Sequence, residues 1–276
     1  MQALAVDGVR LAYEERGSGD PLVLVHGTGA QIEVWGQTLD DLAASHRVIA
    51  YDRRGYGRSE HRPVRDYRRH VADAVELIER LVGGPAVVVG HSSGASVALV
   101  LASERPDLVR ALVVAEPSFH GGRYATGSLL GMIARVKLKQ LADPKDAAAI
   151  FYRWDTSYQT GGNAFDRLPV ELRELLLGNA RPLLVELDPH PTAAFEYLPT
   201  RRLRAIAAPI TFVLGDLTEP WFHRIHAKLV SKVPGIRTER IPGAGHALFL
   251  DAPAEFAAAV ERGAARASLS EAPRSE

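Results

Sequence analysis

The chain contains no cysteine. Disulfides, thiolate chemistry and cysteine-ligated metals are thereby excluded. Neither charge sign is in excess, since Lys+Arg and Asp+Glu both number 33. A broad basic field of the kind that attracts nucleic acid is therefore not expected. No apolar run reaches the roughly 20 residues that span a bilayer. The opening stretch, MQALAVDGVRLAYEERGSG, lacks the basic region and apolar core of a secretion signal. No membrane partner and a cytoplasmic location are the resulting expectations. The GYG around Tyr56 and Gly57 lacks dinucleotide-loop spacing, and no phosphate-binding G-x-x-x-x-G-K motif occurs. His223 and His226 stand in an H-x-x-H spacing, but no third ligand is evident. No cofactor and no metal are expected.

What is present fits a globular protein. Hydrophobic residues are 46% and charged residues 24% of a 276-residue chain, enough for one large core or one domain with an insertion. Arg53, Arg54, Arg65, Arg68 and Arg69 form a local basic cluster broken by Asp52, Glu60 and Asp66, and read as solvated surface with scattered salt bridges. Val9–Glu15 reads as an edge strand. Leu22–His26, Arg47–Tyr51, Ala86–Val89 and Val109–Ala115 are short apolar runs, as suits parallel strands buried on both faces. Between them lie helical stretches at Trp35–Ala44, Tyr67–Leu81 and Ser93–Glu104. This alternation predicts an α/β fold with a mostly parallel sheet flanked by helices.

The alternation stops after residue 116. From 117 to 204 only helical candidates occur, at Leu129–Leu141, Ala147–Trp154, Leu168–Leu177 and Ala193–Leu198. They read as a helical lid over the sheet's C-terminal edge. Strands resume at Ile210–Leu214 and Arg237–Ile241, with helices around Trp221–Val230 and Pro253–Glu261. The expected organisation is a core from 1–116 and 205–265, a lid from 117–204, and a disordered tail from 266.

The strongest chemical signal is GHSSG at Gly90–Gly94, after the apolar run AVVV and before a helical run. A G-x-S-x-G between strand and helix is a nucleophile elbow, with glycines because the turn leaves no room for Cβ atoms. Ser92 is the candidate nucleophile. Its base is expected at His246, in the small-residue loop PGAGHALF after the last strand. His91 is expected to point away from Ser92, and His26 to shape its own loop. An oxyanion hole needs two converging donors. The N–H of Ser93 is one candidate. The N–H of Thr28, in HGTG, is the other.

The acid that orients the histidine has two candidate positions. The common one is a Gly-x-x-Asp in the loop after Ile210–Leu214, but this chain reads LGDLTEPWF there and has Thr218 at the matching residue. Asp216 comes two residues early. The second position is Glu116, directly after five apolar strand residues, where an inward-pointing carboxylate requires a partner. Glu116 is the preferred reading and Asp216 the alternative.

HGTG, DRRGYGRS, GHSSG and GAGH, in that order, resemble the α/β-hydrolase superfamily over essentially the whole chain. Epoxide hydrolases and haloalkane dehalogenases have similar loops, but carry an aspartate nucleophile where this chain has Ser92. SSGAS at Ser92–Ser96, with AEP twenty-four residues after the nucleophile, looks like the zearalenone lactonase group. That resemblance implies a triad of Ser92, Glu116 and His246. It does not extend to the lid, so the mycotoxin substrate is not implied.

The expected reaction is hydrolysis of an apolar or aromatic ester or lactone through an acyl-enzyme. Alternatives are a thioesterase, amidase or C–C hydrolase with the same triad, or a non-catalytic ligand-binding member of the fold. Lid residues Phe119, Leu129, Met132, Ile133, Trp154, Tyr158 and Phe165 offer apolar surface. Phe119, Met132, Trp154 and Trp221 are the substrate-binding candidates. A homodimer is left open.

Overall fold

The computed structural model describes residues 1–64, 66–118, 125–188 and 198–267. Eight strands form one sheet: β1 (Gln2–Val6), β2 (Val9–Arg16), β3 (Pro21–Val25), β4 (Arg47–Tyr51), β5 (Ala86–His91), β6 (Val109–Ala115), β7 (Ile210–Gly215) and β8 (Arg237–Ile241). Their order is β1-β2-β4-β3-β5-β6-β7-β8. The first two strands run antiparallel to their neighbours, and all pairs from β4 to β8 are parallel. The apolar runs of β3, β4, β5 and β6 lie in the middle, where both faces are covered.

The expected edge strand at Val9–Glu15 is corrected in one respect. β2 is not at the edge, because β1 pairs along it from Gln2 to Val6. Only Leu4 and Val6 of β1 are buried, which left it little apolar signal.

Helices α1 (Gly36–Ala43), α2 (Tyr67–Leu77) and α3 (Ser93–Glu104) connect the first six strands. The helix expected over 67–81 ends as an α-helix at Leu77 and continues as a π-helical turn, Ile78–Val82. The basic cluster is only partly surface. Arg53 is fully buried and Arg54 nearly so, paired with Glu186 and Asp73. Arg69 forms the expected exposed pair, with Asp7. Arg65 lies outside the described residues.

Between β6 and β7 come α4 (Gly127–Lys139), α5 (Pro144–Asp155), α6 (Val170–Gly178), α7 (Ala180–Glu186) and α8 (Thr200–Arg204). Thr126 and Asp143 cap α4 and α5 by accepting from backbone N–H groups in their first turns. The helix expected at Ala193–Leu198 falls mostly outside the described residues, as does Phe119. After β7 follow α9 (Pro220–Lys232), and after β8 the short α10 (Leu248–Asp251) and α11 (Pro253–Ala264). α1 packs on α11, and α2 on α3. The disordered tail expected from 266 is corrected at its start. Ala267 is buried, and Arg266 donates to the carbonyls of Ile210 and Gly235. Residues 268–276 lie outside the described set. Among the described residues, no helix is long and apolar enough to cross a membrane.

Candidate active site

The parallel strands end their C-terminal edge in a cluster of chemistry-bearing residues, as open α/β sheets do. Ser92 follows β5 with φ 53° and ψ −123°. This left-handed conformation is strained for a residue with a side chain. It is held by the Ser92 N–H donating to Ala115 O at 2.9 Å. The flanking glycines are dictated by contact. A Cβ on Gly90 would sit 2.5 Å from Ala95 Cα, and one on Gly94 2.2 Å from Val25 O.

Glu116 follows β6 and also has positive φ, 46°. With Asp7, it and Ser92 are the positive-φ non-glycine residues among those described. The turn brings the Glu116 carboxylate inward, fully buried. Its Oε1 accepts from Gly215 N–H at 2.7 Å, and its Oε2 from Thr218 Oγ1 at 2.8 Å and His246 Nδ1 at 2.6 Å. Thr218 therefore stands where an acid was sought and serves as a donor to the acid on the neighbouring strand. Asp216 is exposed and points at Arg240, 3.6 Å away. The carboxylates within 4.0 Å of His246 among the described residues are Glu116 and Asp155.

His246 is completely buried. The Phe222 ring stacks on it with centroids 3.9 Å apart, and His91 lies 4.5 Å away on a tilted approach. His91 Nε2 contacts the His246 carbonyl at 2.9 Å, which turns that ring toward the histidine loop. Burial depresses the His246 pKa. Asp155 and the hydrogen bond to Glu116 outweigh it, so the net shift is upward. With Nδ1–H given to Glu116, Nε2 is the remaining ring nitrogen, 3.5 Å from Asp155 Oδ1. It has no hydrogen-bond partner among the described residues. Such contacts often tighten only when substrate is bound.

The candidate oxyanion residues are joined by a buried relay. Thr28 Oγ1 lies 2.9 Å from Ser93 Oγ and 2.7 Å from Glu186 Oε1. A hydroxyl has one proton, so Thr28 donates to the carboxylate and accepts from Ser93. Arg53 Nη2 donates to Ser93 Oγ at 3.1 Å and pairs with Glu186 Oε2 at 3.2 Å. Tyr56 OH also donates to Glu186. Burial would raise the Glu186 pKa. The Arg53 charge beside it wins, and the group stays ionised. The N–H groups of Thr28 and Ser93 have no hydrogen-bond partner among the described residues.

Two compartments meet at Ser92, and both are lined by Thr28, Ser92 and Asp155. The first adds Met132, Trp154, Trp221, Leu129 and Glu186. The second adds His246, Phe165 and Tyr152. Met132, Trp154 and Trp221 line the first compartment. Tyr158 instead donates to Asp251 Oδ1 at 2.5 Å. His26 Nε2 accepts from Arg53 N–H at 2.8 Å, tying its loop to the next strand's end. His226 contacts Thr238. Asp155, Glu186 and Arg53 were not legible as site residues. The first two sit on helices with no sequence motif, and Arg53 looked like part of a surface cluster.

Comparison with known proteins agrees with this architecture. The pattern described as Alpha/beta hydrolase family matches residues 22–259. The esterase YbfF of Escherichia coli is 26% identical over 251 residues, covering 89% of this chain and 93% of that protein. A 2-hydroxymuconate semialdehyde hydrolase of a Pseudomonas species is 38% identical over 112 residues, 39% of this chain and 40% of that one. The chain aligns with less than half the length of the first curated relatives it matches. The solved structure of Est816, described as an N-acyl homoserine lactone degrading enzyme, superposes with a TM-score of 0.78 at 21% identity, covering 95% of this chain and 99% of that one.

Proposed function

The chain belongs to the alpha/beta hydrolase family, and from that premise we propose that it is a serine hydrolase of carboxylic esters or lactones. One observation carries the reading. A serine in a strained elbow shares its sheet edge with a buried histidine whose Nδ1 is 2.6 Å from a buried carboxylate.

In this reading His246 takes the Ser92 proton, and Ser92 Oγ attacks the substrate carbonyl. Glu116 holds the imidazole in the tautomer with Nε2 free and stabilises the imidazolium that forms. The Thr28 and Ser93 N–H groups receive the oxyanion. The imidazolium then protonates the leaving alcohol, which stays tethered when the substrate is a lactone. Water, deprotonated by His246, attacks the acyl-enzyme and releases Ser92.

The segment 117–204 acts as a cap over a core built from 1–116 and 205–265. Its Glu186 carboxylate accepts from the Thr28 hydroxyl, which contacts the Ser93 hydroxyl, so the cap touches both residues assigned to the oxyanion hole. The acid on β6 supports a kinship with the zearalenone lactonase group at the level of the triad. The apolar lining from Leu129, Met132, Trp154 and Trp221 supports an apolar or aromatic acyl or alcohol part.

The test is covalent labelling by a fluorophosphonate, followed by peptide mapping. Labelling at Ser92, absent in Ser92→Ala, is the expected result. A matched panel of esters, lactones, thioesters and amides then separates the ester and lactone reading from the other acyl-transfer chemistries. A folded S92A protein that still hydrolyses esters at full rate would sink the assignment.

A further inference from the structure

Asp155 ends α5, where the helix's own carbonyls disfavour a negative charge. Its side chain is only 14% exposed. Among the described residues its one polar contact is His246 Nε2, at 3.5 Å. That nitrogen is itself fully buried and without a hydrogen bond. A carboxylate and an imidazole nitrogen therefore face one another, neither properly satisfied, where both compartments meet.

Among the described residues, the titratable group facing Asp155 is His246, which must be neutral to act as base. The described residues lining the two compartments include no Lys and no Arg. Arg53 is buried and committed to Glu186. Glu116 lies on the far side of His246, at Nδ1. Among the described lining residues, Asp155 thus presents a carboxylate with no Lys or Arg beside it. Beside it stand Trp154 and Trp221, both lining the first compartment, with ring centroids 5.9 Å apart at 50°. Indole faces attract cations, and do so more strongly when water is excluded.

Building on the serine hydrolase reading, we propose that the substrate is an aminoacyl ester or lactone, carrying an ammonium group two or three bonds from the scissile carbonyl, and that Asp155 is the residue that selects it. Distance sets the bond count. In that reading the scissile carbon sits at Ser92 with His246 Nε2 as its base, and Asp155 lies 3.5 Å from that nitrogen. Its carboxylate meets an α- or β-ammonium and not a remote one. The bound ammonium donates to Asp155 and draws it away from Nε2, which frees that nitrogen to accept the Ser92 proton. An acyl group bearing a carboxylate at the same place meets Asp155 with no cation to offset it.

Three methyl esters that share a benzyl-bearing skeleton test this. L-phenylalanine methyl ester has an α-ammonium, methyl 3-phenylpropanoate has hydrogen there, and monomethyl benzylmalonate has a carboxylate. Their kcat/KM values are measured at a pH where the amine is protonated, each divided by the ester's alkaline hydrolysis rate to remove intrinsic reactivity. The native protein should favour the ammonium ester over the neutral one by about tenfold or more, the scale of a charge-assisted hydrogen bond. The anionic ester should be poorest. Asp155→Asn should erase the ammonium advantage, with Asp155→Ser as a second variant should the first fold poorly. Equal normalised rates in the native protein overturn the proposal, as does an ammonium preference that survives in both variants. Fluorophosphonate labelling of Ser92 is independent of substrate charge. Labelling without charge preference defeats this inference alone, whereas no labelling defeats the hydrolase reading beneath it.

Discussion

Glu116 Oε2 lies 2.6 Å from His246 Nδ1, and the same carboxylate accepts from Gly215 N–H and Thr218 Oγ1. Three donors converge on one buried acid reached from β6. Thr218, at the Gly-x-x-Asp position of the β7 loop, supports that carboxylate with its hydroxyl.

Glu116→Gln keeps the shape and removes the charge. A carboxamide presents its NH₂ or its oxygen to Nδ1 and loses control of the tautomer. The corresponding template change costs about 10⁴-fold in kcat. Asp216→Asn should cost less than about threefold, because Asp216 is exposed and pairs with Arg240. The check is kcat for both variants on one activated ester, after circular dichroism shows that both fold. Near-normal kcat in E116Q would remove Glu116 from the mechanism.

The acid limb of the pH profile follows from the same pair. The His246 pKa is held above its ordinary value of 6.5, with burial opposing and the two carboxylates prevailing. Only neutral His246 accepts the Ser92 proton. kcat/KM should therefore rise with pH, with its midpoint above 6.5. In Asp155→Asn the midpoint should move down, since one of the two raising charges is gone. A wild-type midpoint below 6, or no shift in the variant, would contradict this account.

Much of the core was legible because its strands are buried on both faces. The bounds of β4 and β6 match the apolar runs read from sequence, the polar edge strand β8 was placed at its observed bounds by position alone, and GHSSG located the elbow because its glycines answer local clashes. β1 was missed because it buries two residues and neighbours a single strand. Asp155 and Glu186 were missed for a different reason. Their roles arise from contacts with Thr28, Arg53 and His246, far away in sequence. A charged residue on an amphipathic helix looks the same whether it faces water or a buried partner. The Arg53 misreading is the other half of that problem, since its partner lies in α7.

Glu186 and Arg53 make a stability prediction. Removing one member of a buried pair strands the other charge, at about 3–5 kcal/mol. Glu186→Gln should lose that much in urea denaturation. It should also lower kcat, because Thr28 and Ser93 lose the group that fixes their hydroxyls. The double variant Arg53→Met with Glu186→Leu should recover most of the stability and little of the kcat. A single variant as stable as wild type would show that the pair contributes nothing.

Asp155 makes the last prediction, on stability against pH. Burial lifts its carboxyl from 3.8 to about 6, helped by Glu116 and opposed by His246. A raised carboxyl pKa means the folded state binds the proton more tightly than the unfolded state does. Stability from this group is therefore complete below pH 3.8 and declines as pH rises through 6. The raised pKa of His246 has the same sign: its contribution is full below 6.5 and is lost as pH climbs through the folded value. The native protein should thus lose stability from about pH 4 toward pH 8 through these two groups together. Asp155→Asn removes the first contribution and weakens the second. Its stability relative to wild type should improve steadily over that range, by on the order of 1–3 kcal/mol. Each kcal/mol moves Tm by roughly 2–4 °C in a chain of this size. Measuring Tm for both proteins at pH 4, 6 and 8 cancels every effect of the substitution that does not depend on pH. A difference in Tm that stays flat, or that shrinks as pH rises, would mean that the Asp155 carboxylate is not held under penalty beside His246.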